Sequence, residues 1–294
     1  MSQDHPLSLT GRASVTHEAP IDGVETKWWE YDSTKGAATI VMIHGFRGDH
    51  HGLQLIADAL PEFRILVPDL PAFGESGSWN KAQVTIDDYG RWLRAFLTET
   101  ATTDAIVLGH SFGSIVVSNG LTGKRKAPIV LLNPISQRAL SGPKKFETAL
   151  ATLWYRIGGA LPERAGNAWL SNGFFVRIMS NLLVKTPDKN IRKYVHEQHA
   201  LYFSHYRNRN ALIRAYQASI SNDVSDFAES ILAPVLLIAA DKDDITPLAA
   251  QVRVRERFPD AKLEVLTGVG HLAHYEQPIQ TARAIRTFLA PQKS

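Results

Sequence analysis

The stretch Ile106-Val107-Leu108-Gly109-His110-Ser111-Phe112-Gly113-Ser114-Ile115-Val116-Val117 decides how the rest of the chain is read. A short apolar run ending at Leu108 meets a Gly-x-Ser-x-Gly pentapeptide, and a second apolar segment follows without a break. Such an arrangement holds a serine at the tip of a strand-to-helix turn. The turn is tight enough that Gly109 and Gly113 have no room for side chains. Ser111 is then expected in a strained backbone conformation, with its hydroxyl exposed and a helix N-terminus beneath it.

Reading outward from this turn, residues 38–43 form another continuous apolar run, the mark of a strand buried on both faces. It closes at His44-Gly45-Phe46-Arg47-Gly48, and an amphipathic helix through Leu53, Ile56, Ala57 and Leu60 follows. Residues 64–68 read as the next strand, opening into Asp69-Leu70-Pro71-Ala72-Phe73-Gly74-Glu75-Ser76, and residues 86–100 as a helix. Before these, residues 13–17 and 25–31 read as two short strands around the Asp22-Gly23 turn, preceded by a polar tail over residues 1–11. Past the serine come a helix to Leu121, a buried strand over 129–132 closing at Asn133-Pro134, strands over 235–239 and 263–266, and helices over 248–258 and 277–289. Strands alternating with helices predict an α/β fold, a mostly parallel central sheet with helices on both faces. In such sheets function gathers beyond the carboxyl ends of strands, where His44, Asp69, Ser111, Asp243 and His271 all fall.

Between Ile135 and Ser230 the alternation stops. The segment carries helical patterns rich in aromatics, Trp154, Tyr155, Trp169 and Phe175 among them, broken at Gly158-Gly159, Asn172-Gly173 and Thr186-Pro187-Asp188. It is expected to be a helical cap, residues 135–230, inserted into a core made of 1–134 and 231–294. The cap holds thirteen Lys and Arg against seven Asp and Glu, in a chain of net charge +3. A basic excess of this kind is usually a solvated face; an anionic substrate or an anionic lipid surface is the functional alternative.

With 294 residues and no cysteine, the chain excludes disulfides, thiolate metal sites and a cysteine nucleophile. No run of about 18 apolar residues suggests a transmembrane helix, and the N-terminus lacks the pattern of a signal peptide, so a cytoplasmic protein is expected. Nothing resembles a nucleic-acid-binding motif. His50 and His51 are adjacent on a helix start, where side chains diverge by about 100° and chelate poorly. No cofactor or metal is implied.

A serine hydroxyl needs a base within reach and an anion to orient that base. His271, on the glycine-flanked loop Gly268-Val269-Gly270-His271, is preferred to His274, which falls at the start of a helical turn. The acid lies in Asp241-Lys242-Asp243-Asp244-Ile245-Thr246-Pro247. Asp243 is preferred, with Ile245 as the inward apolar residue; Asp241 and Asp244 remain alternatives that would instead cap the next helix or bond the loop backbone. Asn133-Pro134 stands at another position where an acid could sit, and supplies no charge. The N–H groups of Phe112 and Phe46 are the candidate donors to a developing oxyanion. His44 is expected to hydrogen-bond loop backbone beneath that turn, Asp69 to order its own loop, and His110 to point away from the hydroxyl and pack under the cap.

Five motifs in this order, at His44-Gly45, Asp69 to Ser76, Gly109 to Gly113, Gly270-His271 and Glu276-x-Pro278, resemble the α/β-hydrolase family, whose chain order of serine, acid and histidine is matched by Ser111, Asp243 and His271. Ala72 and Ala240 depart from it, standing where the family commonly has glycine. The resemblance implies an α/β-hydrolase fold and a serine hydrolase cleaving a carboxylic ester, its small-molecule substrate apolar or aromatic and bound between cap and strand ends. A carbon–carbon bond hydrolase, amidase, lactonase or thioesterase would use the same triad. A non-catalytic hydrolase-like receptor is the reading from another class. The serine disfavours the epoxide hydrolases and haloalkane dehalogenases of this fold, which use aspartate. Oligomeric state is left open.

Overall fold

The structure is a computed structural model that describes residues 5–9, 11–33, 38–138 and 145–290. Eight strands form one sheet in the order β1-β2-β4-β3-β5-β6-β7-β8. The first two, β1 (Val15–Ile21) and β2 (Val24–Tyr31), form a hairpin. Asp22 and Gly23 both take positive φ, 47° and 77°, the geometry that matches a two-residue turn to the strand twist. Strand β2 also runs antiparallel to β4 (Arg64–Pro68). The remaining strands, β3 (Thr39–Ile43), β5 (Ile106–His110), β6 (Ile129–Leu132), β7 (Val235–Ala240) and β8 (Ala261–Leu266), pair in parallel with their neighbours.

The continuous apolar runs follow from helices on both faces. Successive side chains of a strand point to opposite faces. Val41, Ile43, Leu66, Val107 and Leu131 pack on one side, with α2 (Ile86–Glu99) and α3 (Phe112–Gly120). Ile40, Met42, Ile65, Val67, Leu108 and Val130 pack on the other, with α1 (Gln54–Ala59) and, at the chain's end, α11 (Pro278–Leu289). Each fully buried Val, Leu or Ile contributes roughly 1.5–3 kcal/mol. Helix α2 begins at a capping box, Thr85 with Asp88, and buries Tyr89, Trp92, Leu93, Phe96 and Leu97.

Among the described residues, five α-helices separate β6 from β7: α4 (Lys145–Ala160), α5 (Glu163–Leu170), α6 (Gly173–Leu183), α7 (Lys189–Tyr202) and α8 (Arg209–Ser221). Residues 139–144 of this expected insertion lie outside the described residues, as do 1–4 and 10 of the expected tail. Helices α9 (Leu248–Arg255) and α10 (Ala273–Glu276) complete the chain. No described helix is long and apolar enough to cross a membrane.

Arg47 ties the insertion to the core. It takes φ 61° in the turn after β3 and its side chain is buried. The guanidinium donates to Phe203 O (3.0 Å), Leu170 O (2.9 Å), Ser204 Oγ (3.3 Å) and Tyr155 Oη (3.3 Å), all in the insertion. Glu276 makes a second tie. Its Oε2 accepts Lys185 N–H (3.0 Å) and Thr186 N–H, and its Oε1 accepts Gly270 N–H (3.1 Å).

Candidate active site

Ser111 sits between β5 and α3 with φ 52° and ψ −118°, a backbone conformation that costs a serine roughly 1–3 kcal/mol. The turn is as crowded as its glycines suggest. A Cβ on Gly109 would lie 2.5 Å from Gly113 O, and one on Gly113 would lie 2.3 Å from Ile43 O. Ser111 N–H bonds Leu132 O (3.1 Å), which pins the turn to β6.

Three of the residues singled out by sequence come together in a hydrogen-bonded chain. Ser111 Oγ lies 2.7 Å from His271 Nε2, and His271 Nδ1 lies 2.8 Å from Asp243 Oδ2. His271 and Asp243 are buried. Burial by itself pushes the Asp243 carboxyl up, but His271, Thr246 and Asn133 outweigh it and hold the carboxyl below its ordinary value. Asp243 Oδ1 accepts Ile245 N–H (2.8 Å) and Thr246 N–H (3.1 Å), while Oδ2 also accepts Thr246 Oγ1–H (3.1 Å).

The other two aspartates of the loop serve elsewhere. Asp241 Oδ1 accepts Gly268 N–H (2.7 Å), and Asp244 pairs with Lys185 Nζ of the insertion (2.5 Å). Neither caps α9, whose N-cap is Pro247. Ile245 is not inward. It is 40% exposed, because its N–H must turn toward Asp243 and this carries the side chain outward to the wall of a large groove.

Phe112 opens α3, and Phe46 lies in the turn after β3. Among the described residues neither backbone N–H has an acceptor, and both phenylalanines line the same groove as Ser111. His44 braces that turn as expected: Leu70 N–H donates to its Nε2 (2.8 Å), and its Nδ1 lies 2.8 Å from Gly45 O. Asp69 orders its loop through Glu75 N–H (2.8 Å) and reaches further, to His50 N–H (2.8 Å) and His50 Nδ1 (3.0 Å). Of the two alanines at expected glycine positions, Ala240 ends β7 without strain, whereas Ala72 takes φ 84°.

Two neighbours of the chain were not legible as such. Asn133 Nδ2–H donates to Asp243 Oδ2 (3.0 Å), so the position read only as lacking a charge supplies a donor to that carboxylate. The Nε2 of His110 lies 3.1 Å from His271 O and steadies the loop that carries His271. His50 and His51 also differ from expectation. Each Nδ1 is drawn to a carboxylate, Asp69 and Asp49 respectively, which brings the rings to 3.9 Å rather than apart. With Asp49 they offer possible ligand atoms within 4.8 Å of one another.

A groove of about 700 Å³ opens on Ser111, walled by Phe46, Phe112, Trp154, Trp169, Met179 and Leu182 among others. It runs between the strand ends and the inserted helices.

The family model for the alpha/beta hydrolase family matches residues 40–284. Among curated relatives, the uncharacterized hydrolase YugF of Bacillus subtilis (strain 168) is 24% identical over 277 residues, spanning 92% of this chain and 96% of the relative. Lipase 3 of Moraxella sp. (strain TA144) is 23% identical over 268 residues, 88% of this chain and 79% of the relative. Among solved structures, a thermophilic esterase from Thermogutta terrifontis superposes with a TM-score of 0.74 at 20% identity, over 94% of this chain and 98% of the other. The serine turn, the eight-stranded sheet and the family match agree: this chain belongs to the alpha/beta hydrolase family.

Proposed function

We propose that the protein is a serine hydrolase acting on a carboxylic ester through an acyl-enzyme. Ser111 attacks the carbonyl carbon while His271 Nε2 takes its proton. Asp243 holds the imidazole with Nδ1–H toward itself and stabilises the imidazolium. The Phe46 and Phe112 N–H groups receive the oxyanion, the latter aided by the dipole of α3. Collapse of the tetrahedral intermediate expels the alcohol with the proton carried by His271; water then repeats the sequence on the acyl-enzyme.

The observation that carries this reading is the unbroken chain Ser111–His271–Asp243 at 2.7 and 2.8 Å, placed where an apolar groove ends. The insertion serves as a cap over that groove, whose aromatic walls suit an apolar acyl or aryl group. The lipase and esterase among the similar proteins support an ester as the substrate. Hydrolysis of p-nitrophenyl esters of increasing chain length, with labelling by a serine-directed phosphonate, tests it. Ser111→Ala should lower kcat by ~10⁴–10⁶ and abolish labelling. Labelling that survives in this variant would remove Ser111 from the role.

A further inference from the structure

The sheet ends in two edge strands, and they differ. At one edge β1 carries Pro20, which has no N–H to offer a further strand. At the other edge β8 has no proline. It runs along the floor of a groove of about 820 Å³, banked by α9 with Val252 and Arg255 and by α11 with Arg283 and Phe288. The ladder to β7 shows which backbone groups face this groove. Asp260 O accepts Val235 N–H (2.9 Å) and Leu266 O accepts Asp241 N–H (3.0 Å), so the even-numbered residues turn their backbone toward β7. Ala261, Leu263 and Val265 therefore turn theirs outward, because alternate residues of a strand address opposite sides. Arg255 Nε–H is bonded to Ala261 O (3.0 Å), whereas the N–H and C=O of Leu263 and Val265 have no partner among the described residues.

An unpaired edge is a template for another strand, and charges of one sign along it keep copies apart. The charges on β8 are of both signs. Lys262 and Glu264 are exposed and share the face of α11, where Lys262 Nζ lies 6.0 Å from the Phe288 ring centroid. Neither forms a salt bridge among the described residues. Two opposite charges, two positions apart on one face, are complementary to their own reversed copy. That property selects the occupant of the groove and its register. Two copies of β8 related by a twofold axis pair antiparallel, outward-facing residues against outward-facing residues. The registers that keep most of the strand paired are centred on Lys262, Leu263 or Glu264. Centring on Lys262 sets that lysine against itself, and centring on Glu264 sets that glutamate against itself; like charges directly opposite are destabilising. Centring on Leu263 instead puts Lys262 opposite Glu264 of the second copy, and Glu264 opposite its Lys262. Both pairs fall at the closely spaced positions of the ladder, where side chains interact most.

We propose that β8 is a dimer interface: a second copy of this chain adds its own β8 antiparallel, centred on Leu263, to make one sheet continuous across both copies. Leu263 exchanges both backbone bonds with Leu263 of the second copy, and the outward N–H of Ala261 on each side reaches Val265 O on the other. The contact is isologous and closes on itself, so it forms a dimer and not a filament. On one face of the joined sheet α9 meets α9 of the second copy, covering the exposed Val252, and on the other face α11 meets α11. No residue of the β8 groove lines the groove at Ser111, so the interface leaves that site open.

Sedimentation velocity of the full chain over a range of concentrations tests the interface. The wild type should reach twice the chain's 32.5 kDa. Lys262→Glu and Glu264→Lys each set like charges opposite one another at both paired positions, and each should raise the dimer Kd by about tenfold or more. The double variant Lys262→Glu/Glu264→Lys restores opposite signs with their order exchanged, and its Kd should return to within a few fold of wild type. A merely disturbed strand would not be repaired by the second change. Both side chains are exposed, so the variants should keep the wild-type Tm measured below the dimer Kd. A wild type that stays monomeric at every concentration, single variants that dimerise as wild type does, or a double variant no tighter than the singles would overturn the interface. Hydrolysis of p-nitrophenyl esters should be alike in all four proteins, so the loss of the interface would leave the reading of Ser111 standing.

Discussion

The Asn133 amide donates to Asp243 Oδ2 across 3.0 Å, from the end of β6 to the loop after β7. Asn133 takes φ 45° there and is fully buried. The bond helps keep the acid ionised and aims its second oxygen at His271. A hydrogen bond to a charged group is worth roughly 1.5–3 kcal/mol. Asn133→Ala should therefore lower kcat by about one order of magnitude or more while leaving KM for a p-nitrophenyl ester nearly unchanged. A wild-type kcat in steady-state measurements would show that Asp243 needs no such support.

Three aspartates share the loop after β7, and the geometry separates them. Asp243→Asn should cost ~10⁴ in kcat, because an amide facing His271 Nδ1 favours the wrong tautomer. Asp241→Asn and Asp244→Asn should stay within a few fold, since those carboxylates hold Gly268 N–H and Lys185. If Asp244→Asn were the crippling change, the acid would have been assigned to the wrong residue.

Arg47 is a buried cation spent on holding the insertion in place. Arg47→Ala leaves Leu170 O and Phe203 O without their donor, a loss of roughly 1–3 kcal/mol for each buried group stranded. The expected result is a lower Tm and earlier proteolytic cleavage within the inserted helices than in the core. Arg47→Lys should rescue little, because an ammonium cannot span the four acceptors that the planar fork reaches. Proteolysis unchanged from wild type would show that the other ties to the core, Glu276 and the Asp244–Lys185 pair among them, keep the insertion seated without Arg47.

The buried histidines predict an acid-labile fold. His110, His199 and His274 all have folded values below the unfolded value near 6.5, because burial disfavours the charged imidazolium of each. Between the two values the unfolded chain binds more protons than the native one, so stability rises with pH in that window and is lost as pH falls below about 6.5. Three such groups give a slope of up to about 4 kcal/mol per pH unit. Urea unfolding at pH 7, 6 and 5 measures it, and His274→Gln should flatten the slope by about one proton. Stability independent of pH between 7 and 5 would mean that these rings are not kept neutral by the fold.

Much of the fold was legible because its signals are local. An apolar run of five residues between turn residues has few alternatives to a buried strand, and a glycine pair around Ser111 leaves few backbones open. His271 and Asp243 could be nominated because each follows a strand end. Ile245 was misread because alternation along a loop does not fix which way a side chain points once its own N–H is claimed. Asn133 was read for its missing charge, and its amide counts only because β6 and β7 are neighbours in the sheet.

What the sequence determined alone was therefore the order of strands and helices, the serine turn and the residue types fit for its chemistry, since all are set by contacts a few positions apart. Only the tertiary structure decided which histidine meets the serine, that a buried arginine holds the insertion, and that Ser111 opens on an apolar groove walled in part by the inserted helices. Those relations join residues up to 161 positions apart, as between His110 and His271. They depend on how closely packed layers meet, and no local pattern in the chain encodes that.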